Sequence, residues 1–329
     1  MAEFKRQEGI AMILAIVAVF LLSVAVLATR SGVDLASGIA ASAAHETQAG
    51  YLARSGLAMV SAALAEDDTA VDSFNDDWAA ANDMGAVPIA DVGWAVGKVT
   101  DEEGKLNVLD LVNKDRMSDE LTELAEIRLL DLLMIIGLTE SRADEIVDSL
   151  VDWMDEDSTV TGFGAEDSYY GSLVPEYSCP DTYLMTVDEL ALVKGIGPIL
   201  LYQGEGEVPP LLRFVTVYGD KAGDYRKVNI NTAPVEVLMA LAPEIDRQLA
   251  EEIVASRDTE PFTSPAQIKD VPGFPGDQFY SETLASLVDV SSSHFSARIT
   301  GETPSASSQA FGVFRRTGQA VKLVYYKSF

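Results

Sequence analysis

Residues 5–12 read Lys5-Arg6-Gln7-Glu8-Gly9-Ile10-Ala11-Met12, and apolar residues then run to Ala28 with Ser23 as the one polar interruption. A helix rises about 1.5 Å per residue, so about 20 such residues cross a bilayer core of about 30 Å. Lys5 and Arg6 before the run favour a cytoplasmic N-terminus, which sends everything after Arg30 across the membrane. Three readings compete. A secretory signal has an apolar core of about 7–15 residues and a small-x-small cleavage site; Val26-Leu27-Ala28 fits that site loosely, and the run is longer. The second reading is a plain membrane anchor. The third is a short charged leader ending in Gly9 and cut before the apolar run. The residues beyond the run favour the third. Val33, Leu35, Ile39, Tyr51, Leu52, Leu57, Met59, Val60 and Leu64 continue a helical pattern to Asp67-Asp68, and Gly32 and Gly38 only weaken it. One helix of roughly fifty residues then lies half in lipid and half in a folded domain.

Such a leader resembles that of type IV prepilins, in which a peptidase cuts between the positions held here by Gly9 and Ile10 and the new N-terminus is methylated. Pilin-like proteins carry Glu at the fifth position after the cut, where the resemblance implies pairing with a neighbouring subunit's N-terminal amine. This chain has Leu14 there. A carboxylate in lipid is costly unless paired, and a subunit with nothing above it has no use for one.

The chain carries 23 Lys and Arg against 52 Asp and Glu, a net charge of -29 over 329 residues. That surface repels phosphate backbones and anionic lipid heads and favours cationic partners and divalent metal. Hydrophobic residues make up 48%, enough for a core rather than a disordered acidic chain. Cys179 is the one cysteine, so no disulfide within the chain and no cysteine-based zinc site can form, and it reads as a packing residue. His45 and His294, the only histidines, read as ordinary surface residues. No phosphate-binding loop, dinucleotide fingerprint or zinc signature is present, and no enzyme is expected.

After the helix, Glu66 to Asp91 reads as polar and irregular. Trp94, Val96 and Lys98-Val99 form a short strand, Asp101-Glu102-Glu103-Gly104 a turn, and Lys105-Leu106-Asn107-Val108 its return strand. Phe295, Ala297 and Ile299 alternate, as do Val321, Leu323 and Tyr325 beyond the turn at Thr317-Gly318. The expected fold is α+β: a long N-terminal helix packed on an antiparallel sheet, with an all-helical insert between the strands. The divisions are 1–9 for the leader, 10–30 for the membrane half of the helix, 31–109 and 291–329 for the sheet domain, and 110–290 for the insert. Leu121 to Ile136 and Glu140 to Met154 carry apolar stripes at helical spacing.

The insert repeats itself. Lys105-Leu106-Asn107-Val108 is echoed by Lys227-Val228-Asn229-Ile230, and Val187 to Gly195 by Ala266 to Gly273. Two similar units follow, about 110–205 and 225–290. Val193-Lys194-Gly195-Ile196-Gly197 resembles a helix-hairpin-helix turn, whose N–H groups meet a phosphate in DNA-binding versions. Val228-Asn229-Ile230-Asn231-Thr232-Ala233 also resembles secreted DNA-uptake proteins. Against this stand the net charge and Pro272-Gly273-Phe274-Pro275-Gly276 in the second hairpin, because proline offers no N–H. The hairpins therefore read as packing units, with a membrane-tethered DNA-uptake receptor as the alternative function.

The first unit carries an extra acidic loop, Asp155 to Pro180. Asp152, Asp155, Asp157, Glu166 and Asp167 crowd it, with Gly162 and Gly164 between them and Tyr169-Tyr170 after them. Hard oxygens around a glycine-bent loop suit Ca²⁺, which takes six to eight oxygens at about 2.3–2.6 Å. The spacing is not that of an EF-hand, and a solvated acidic loop is the competing reading. The two tyrosines argue for an ordered loop and hence for metal.

Taken together, the leader with Leu14, Asp101 to Asn107, Leu150 to Asp155 with Gly164 to Tyr170, Val187 to Leu190 and Val228 to Pro234 resemble the protein K family of type II secretion, also called general secretion pathway protein K. The resemblance is nearly full length. It implies a pilin domain with a large SAM-like helical insert that binds structural calcium. It implies a single-pass protein of the bacterial inner membrane with its bulk in the periplasm, processed by prepilin peptidase. Its partners would be minor pseudopilins I and J and the shaft of the pseudopilus. Its place would be the filament tip, as initiator and cap for export of folded proteins across the outer membrane, with no nucleic acid involved.

Overall fold

The computed structural model describes residues 2–112, 119–219 and 226–329, with the side chains of 2–10, 31, 119 and 120 left aside. Helix α1 runs over Ala2–Glu66. Its first half is apolar and long enough to cross a membrane, and none of that window is buried in protein. The hydroxyls there are satisfied inside the helix: Ser23 donates to the Val19 carbonyl at 2.8 Å and Thr29 to that of Val26 at 2.9 Å, as a lipid environment requires. In the second half Ala49, Leu52, Ala53, Leu57, Val60 and Leu64 are buried, a stripe at spacings of three and four.

A one-turn helix α2 (Asp77–Ala80) sinks Trp78 against the Phe295 ring, with centroids 5.2 Å apart. Asp72 is buried as completely as Trp78, so the segment expected to be irregular is a packed connection. Strands β1 (Val87–Ile89) and β2 (Gly93–Asp101) follow. The chain then enters the insert through β3 (Leu106–Asn107). Its helices are α3 (Asp119–Ile135), α4 (Glu140–Met154), α5 (Asp167–Tyr170) and α6 (Gly197–Tyr202), then, after β4 (Val215–Thr216) and β5 (Val228–Asn229), α7 (Val235–Ala240), α8 (Arg247–Thr259) and α9 (Asp277–Phe279). The chain leaves by β6 (Val288–Asp289) and closes with β7 (His294–Glu302), β8 (Ser307–Thr317) and β9 (Ala320–Ser328). The main sheet is antiparallel, in the order β1-β2-β7-β8-β9. The fold is α+β as expected.

Leu106–Asn107 is not the return strand of a hairpin. It pairs in parallel with β4, while β7 takes the place beside β2, from Trp94↔Glu302 to Asp101↔Phe295. The cause is Glu102, whose buried carboxylate accepts from Lys105 Nζ at 2.9 Å and from the Thr216 hydroxyl at 2.7 Å. That anchor turns the chain into the insert. The second unit opens in the same way, with β5 parallel to β6. Each unit also carries a 3-10 turn, Val187–Leu192 or Pro265–Asp270, before a glycine at φ 87°, Gly195 or Gly273. The sequence echo is therefore a structural one.

Helix α1 lies close on the sheet because both surfaces are small at the crossing. A methyl group at Gly301 would stand 2.1 Å from the Ala49 carbonyl oxygen and 2.4 Å from the Ala53 nitrogen. Gly301→Ala must push helix and sheet apart, at a cost of about 1–3 kcal/mol. Thermal melting checks this; an unchanged midpoint contradicts the packing.

A buried polar joint ties the insert to the sheet. Asp101 Oδ2 accepts from Thr232 Oγ1 at 2.6 Å, Ser292 Oγ at 2.7 Å and Asn229 Nδ2 at 3.0 Å. Asn229 Nδ2 also reaches the Asp72 carbonyl at 3.0 Å. Arg316 donates to the Asp72 carboxylate and, at 3.0 Å, to Asp67. Burial pushes the Asp72 carboxyl up to about 7, against the opposite pull of Arg316. His294 belongs to this region. It is buried, with Nδ1 3.0 Å from Glu103, and not at the surface, because it opens the inner strand β7. His45 is half-buried.

Candidate metal centre

Helix α4 forms because Ala143, Ile146, Val147, Leu150, Val151 and Trp153 face the insert core at helical spacing. Its last turn delivers Asp152 and its C-cap is Asp155. Asp152 is buried and accepts from the Thr161 N–H at 3.0 Å. Asp148, one turn earlier, accepts from the Phe163 N–H at 2.7 Å. These two carboxylates fold the acidic loop back onto its own helix. The return passes so close that a methyl group at Gly164 would stand 2.1 Å from Asp152 Oδ2. Glycine is the residue that permits this approach.

The folded loop brings Asp155, Asp157 and Glu166 together, each offering a carboxylate oxygen within 4.8 Å of the others. Glu166, Cys179 and Asp181 form a second such group. Asp152 holds the loop beside them. Asp167 stands apart in its bonding, since Oδ1 accepts from the Cys179 N–H at 2.7 Å. Among the expected residues, then, three converge, one braces the loop and one ties the next segment down.

Asp181 was not expected. It follows directly on Cys179-Pro180, just beyond the loop limit read from the sequence. An acid closing a long acidic loop was the available signal. It adopts φ 47°, an unfavourable backbone for a residue with a side chain.

The electrostatics point to a cation. Glu166 is buried, and its carboxyl is pushed up to about 7 by burial first and then by Asp152, Asp181, Asp155 and Asp157. Glu166 Oε1 and Asp181 Oδ1 are buried without a hydrogen-bond partner. A buried acceptor left unpaired costs about 1–3 kcal/mol, so these oxygens fit a ligand that they would bind. Burial pushes the Cys179 thiol up to about 12, and Sγ lies 3.6 Å from the Asp152 carbonyl oxygen. Cys179 is thus a neutral packing thiol, and the donors left are hard oxygens suited to a hard divalent cation.

The hairpin residue Lys194 is engaged by the acidic loop. Nζ donates to the Phe163 carbonyl at 2.7 Å and to that of Gly164 at 3.2 Å.

Comparison with known proteins agrees with this architecture. Two family models described as type II secretion system protein K match residues 104–220 and 228–291. The type II secretion system protein K of Aeromonas hydrophila is 28% identical over 298 residues, covering 84% of this chain and 83% of that protein. A putative type II secretion system protein K of Escherichia coli strain K12 is 38% identical over 65 residues, 20% of each chain. Among solved structures, a chain of the GspK-GspI-GspJ complex from the type 2 secretion system of enterotoxigenic Escherichia coli superposes with a TM-score of 0.64 at 22% identity. That match covers 92% of this chain and 99% of the other. The two family models meet the chain along both units of the insert, and on that ground it belongs to the type II secretion system protein K family.

Proposed function

We propose that the chain is the minor pseudopilin that initiates and caps the tip of the pseudopilus, in complex with minor pseudopilins I and J. The observation that carries this is α1 together with what hangs from it. The first half of the helix exposes its apolar side chains and the second half is the core of the sheet. Between β2 and β7 the chain inserts a helical body much larger than the sheet it interrupts, and a like subunit stacked above would collide with it. Leu14, 63% exposed on the helix, offers no carboxylate to a subunit above. The relative solved in a complex with GspI and GspJ supports the choice of partners. Anchoring is in the inner membrane, with the N-terminus cytoplasmic and the body periplasmic. The exposed Val33, Leu35 and Ile39 are the expected contacts with I and J.

Detergent-extracted chain is expected to co-purify with I and J, and labelled chain to sit at filament ends. Absence of that complex, or label along the shaft, sinks the assignment. Prepilin peptidase is expected to cut between Gly9 and Ile10, whose side chains lie outside those described. N-terminal sequencing of the extracted protein reads this directly: Ile10 as first residue agrees, Met1 or Thr29 does not.

The same reading takes calcium as a structural ion held by Asp155, Asp157 and Glu166, with Asp181 available beside them and Asp152 bracing the loop. The ion would offset the repulsion among these carboxylates and join the two ends of the loop.

A further inference from the structure

We propose that Lys194 is a positioning residue for the calcium loop: it clamps the backbone that delivers Glu166 and so presets the site before metal arrives. The inference rests on the calcium reading above. Lys194 Nζ is shared among several elements. It donates to the carbonyls of Phe163 and Gly164 at 2.7 and 3.2 Å, pairs with Glu145 of α4 at 3.3 Å, and lies 5.3 Å from the Tyr169 ring centroid. Its backbone N–H donates to the hydroxyl of the fully buried Tyr170 at 3.3 Å. Gly164 precedes Glu166 by two residues, so fixing its carbonyl limits where that carboxylate can go.

The chain contains its own control. The two units match at Val193-Lys194-Gly195 and Val271-Pro272-Gly273, with both glycines at φ 87°. The unit with the acidic loop has lysine at the middle position. The unit without that loop has Pro272, which has no cationic side chain. The lysine therefore goes with the loop and not with the hairpin.

Charge and clamping predict opposite signs. A nearby ammonium repels a divalent cation, so if Lys194 acted by its charge alone its removal would tighten binding. A clamp holds the loop in the binding geometry, so its removal weakens binding; outer groups that orient metal ligands are typically worth about 10–100-fold in affinity. The test uses the full-length chain in detergent, with calcium affinity measured by competition with a chromophoric chelator. Lys194→Met keeps the stem and loses charge and donors, and it should bind calcium about 10-fold more weakly. Lys194→Gln, which keeps an amide NH2 donor group but no charge, should fall between it and wild type. Lys194→Arg should stay within about threefold of wild type, because it retains cationic donors. Hydrogen exchange in chelator is the second readout. Residues 161–166 should exchange faster in Lys194→Met than in wild type with no metal present.

Equal or tighter calcium binding by Lys194→Met, or unchanged exchange in that segment, overturns the clamp while leaving the calcium reading intact. Wild type that binds no calcium defeats the calcium reading, and the proposal with it.

Discussion

Arg316→Ala is expected to destabilise the folded head by about 3–5 kcal/mol, the usual effect of removing one partner of a buried ion pair. The Arg316 side chain is 2% exposed and that of Asp72 fully buried. One guanidinium serves the Asp72 carboxylate, Asp67 at 3.0 Å and the Ser292 carbonyl at 2.9 Å, and lies 5.0 Å from the Phe295 ring centroid. Without it, Asp72 is left as a carboxyl whose burial already drives it toward the neutral form. The double change Arg316→Met with Asp72→Leu removes both charges and should cost less than Arg316→Ala alone. Urea unfolding followed by near-ultraviolet circular dichroism measures both variants. A loss under about 1 kcal/mol for Arg316→Ala, the range of an exposed pair, would show that this buried pair does not hold the folded head together.

The second large effect is expected from calcium. Extracellular calcium modules bind at about 10⁻⁴–10⁻³ M; if the acidic loop is such a site, calcium at 100 times the dissociation constant should add about 2.7 kcal/mol of stability over chelator. Magnesium should substitute poorly, since it keeps its waters in a tight octahedron. Glu166→Gln should lose most of the gain. The pH dependence has a definite sign. In the metal-free folded chain the Glu166 carboxyl is raised to about 7, above its unfolded value, so the folded state holds a proton that the unfolded state has released. That contribution is fully present below the ordinary carboxylate range and is lost as pH rises through about 7. Calcium bound as proposed would take the ionised form, so its stabilising effect should grow over the same window. Melting curves with calcium, magnesium and chelator at several pH values test this. If calcium leaves the midpoint unchanged, or Asp157→Ala melts like wild type with and without it, the loop is a solvated acidic face.

What could be read from the sequence followed pattern length. Helix α1 was legible because an apolar stripe persists to Leu64, and β7 because Phe295, Ala297 and Ile299 alternate. Strand β3 was misplaced because it is two residues long and its partner, Val215–Thr216, is more than a hundred residues away; so short a strand has no period. The stretch after the helix read as irregular because its buried residues are isolated: Asp72 finds Arg316 and Trp78 finds Phe295 only in three dimensions. At the candidate metal centre the carboxylates stood out as a cluster. Which of them converge did not, because that depends on Asp148 and Asp152 drawing back the Thr161 and Phe163 amides. Asp101 to Lys105 and Val228 to Thr232 were recognisable as motifs, and their shared purpose is the buried joint in which they meet.

The sheet also bears on the order in which the chain can fold. Asp101 at the end of β2 has Phe295 as its register partner, and the whole insert lies between them. The central pairing of the sheet must wait until nearly the last strands have been delivered. Closing so long a flexible loop is slow and entropically unfavourable. A folded insert changes that problem, because its Asn229 hydrogen-bonds to Asp101, as does Ser292 just before β7, and the start of β7 is thus held near the end of β2. The pairing of β2 with β7 is therefore expected to follow folding of the insert, and with it the covering of the buried stripe of α1 by the sheet.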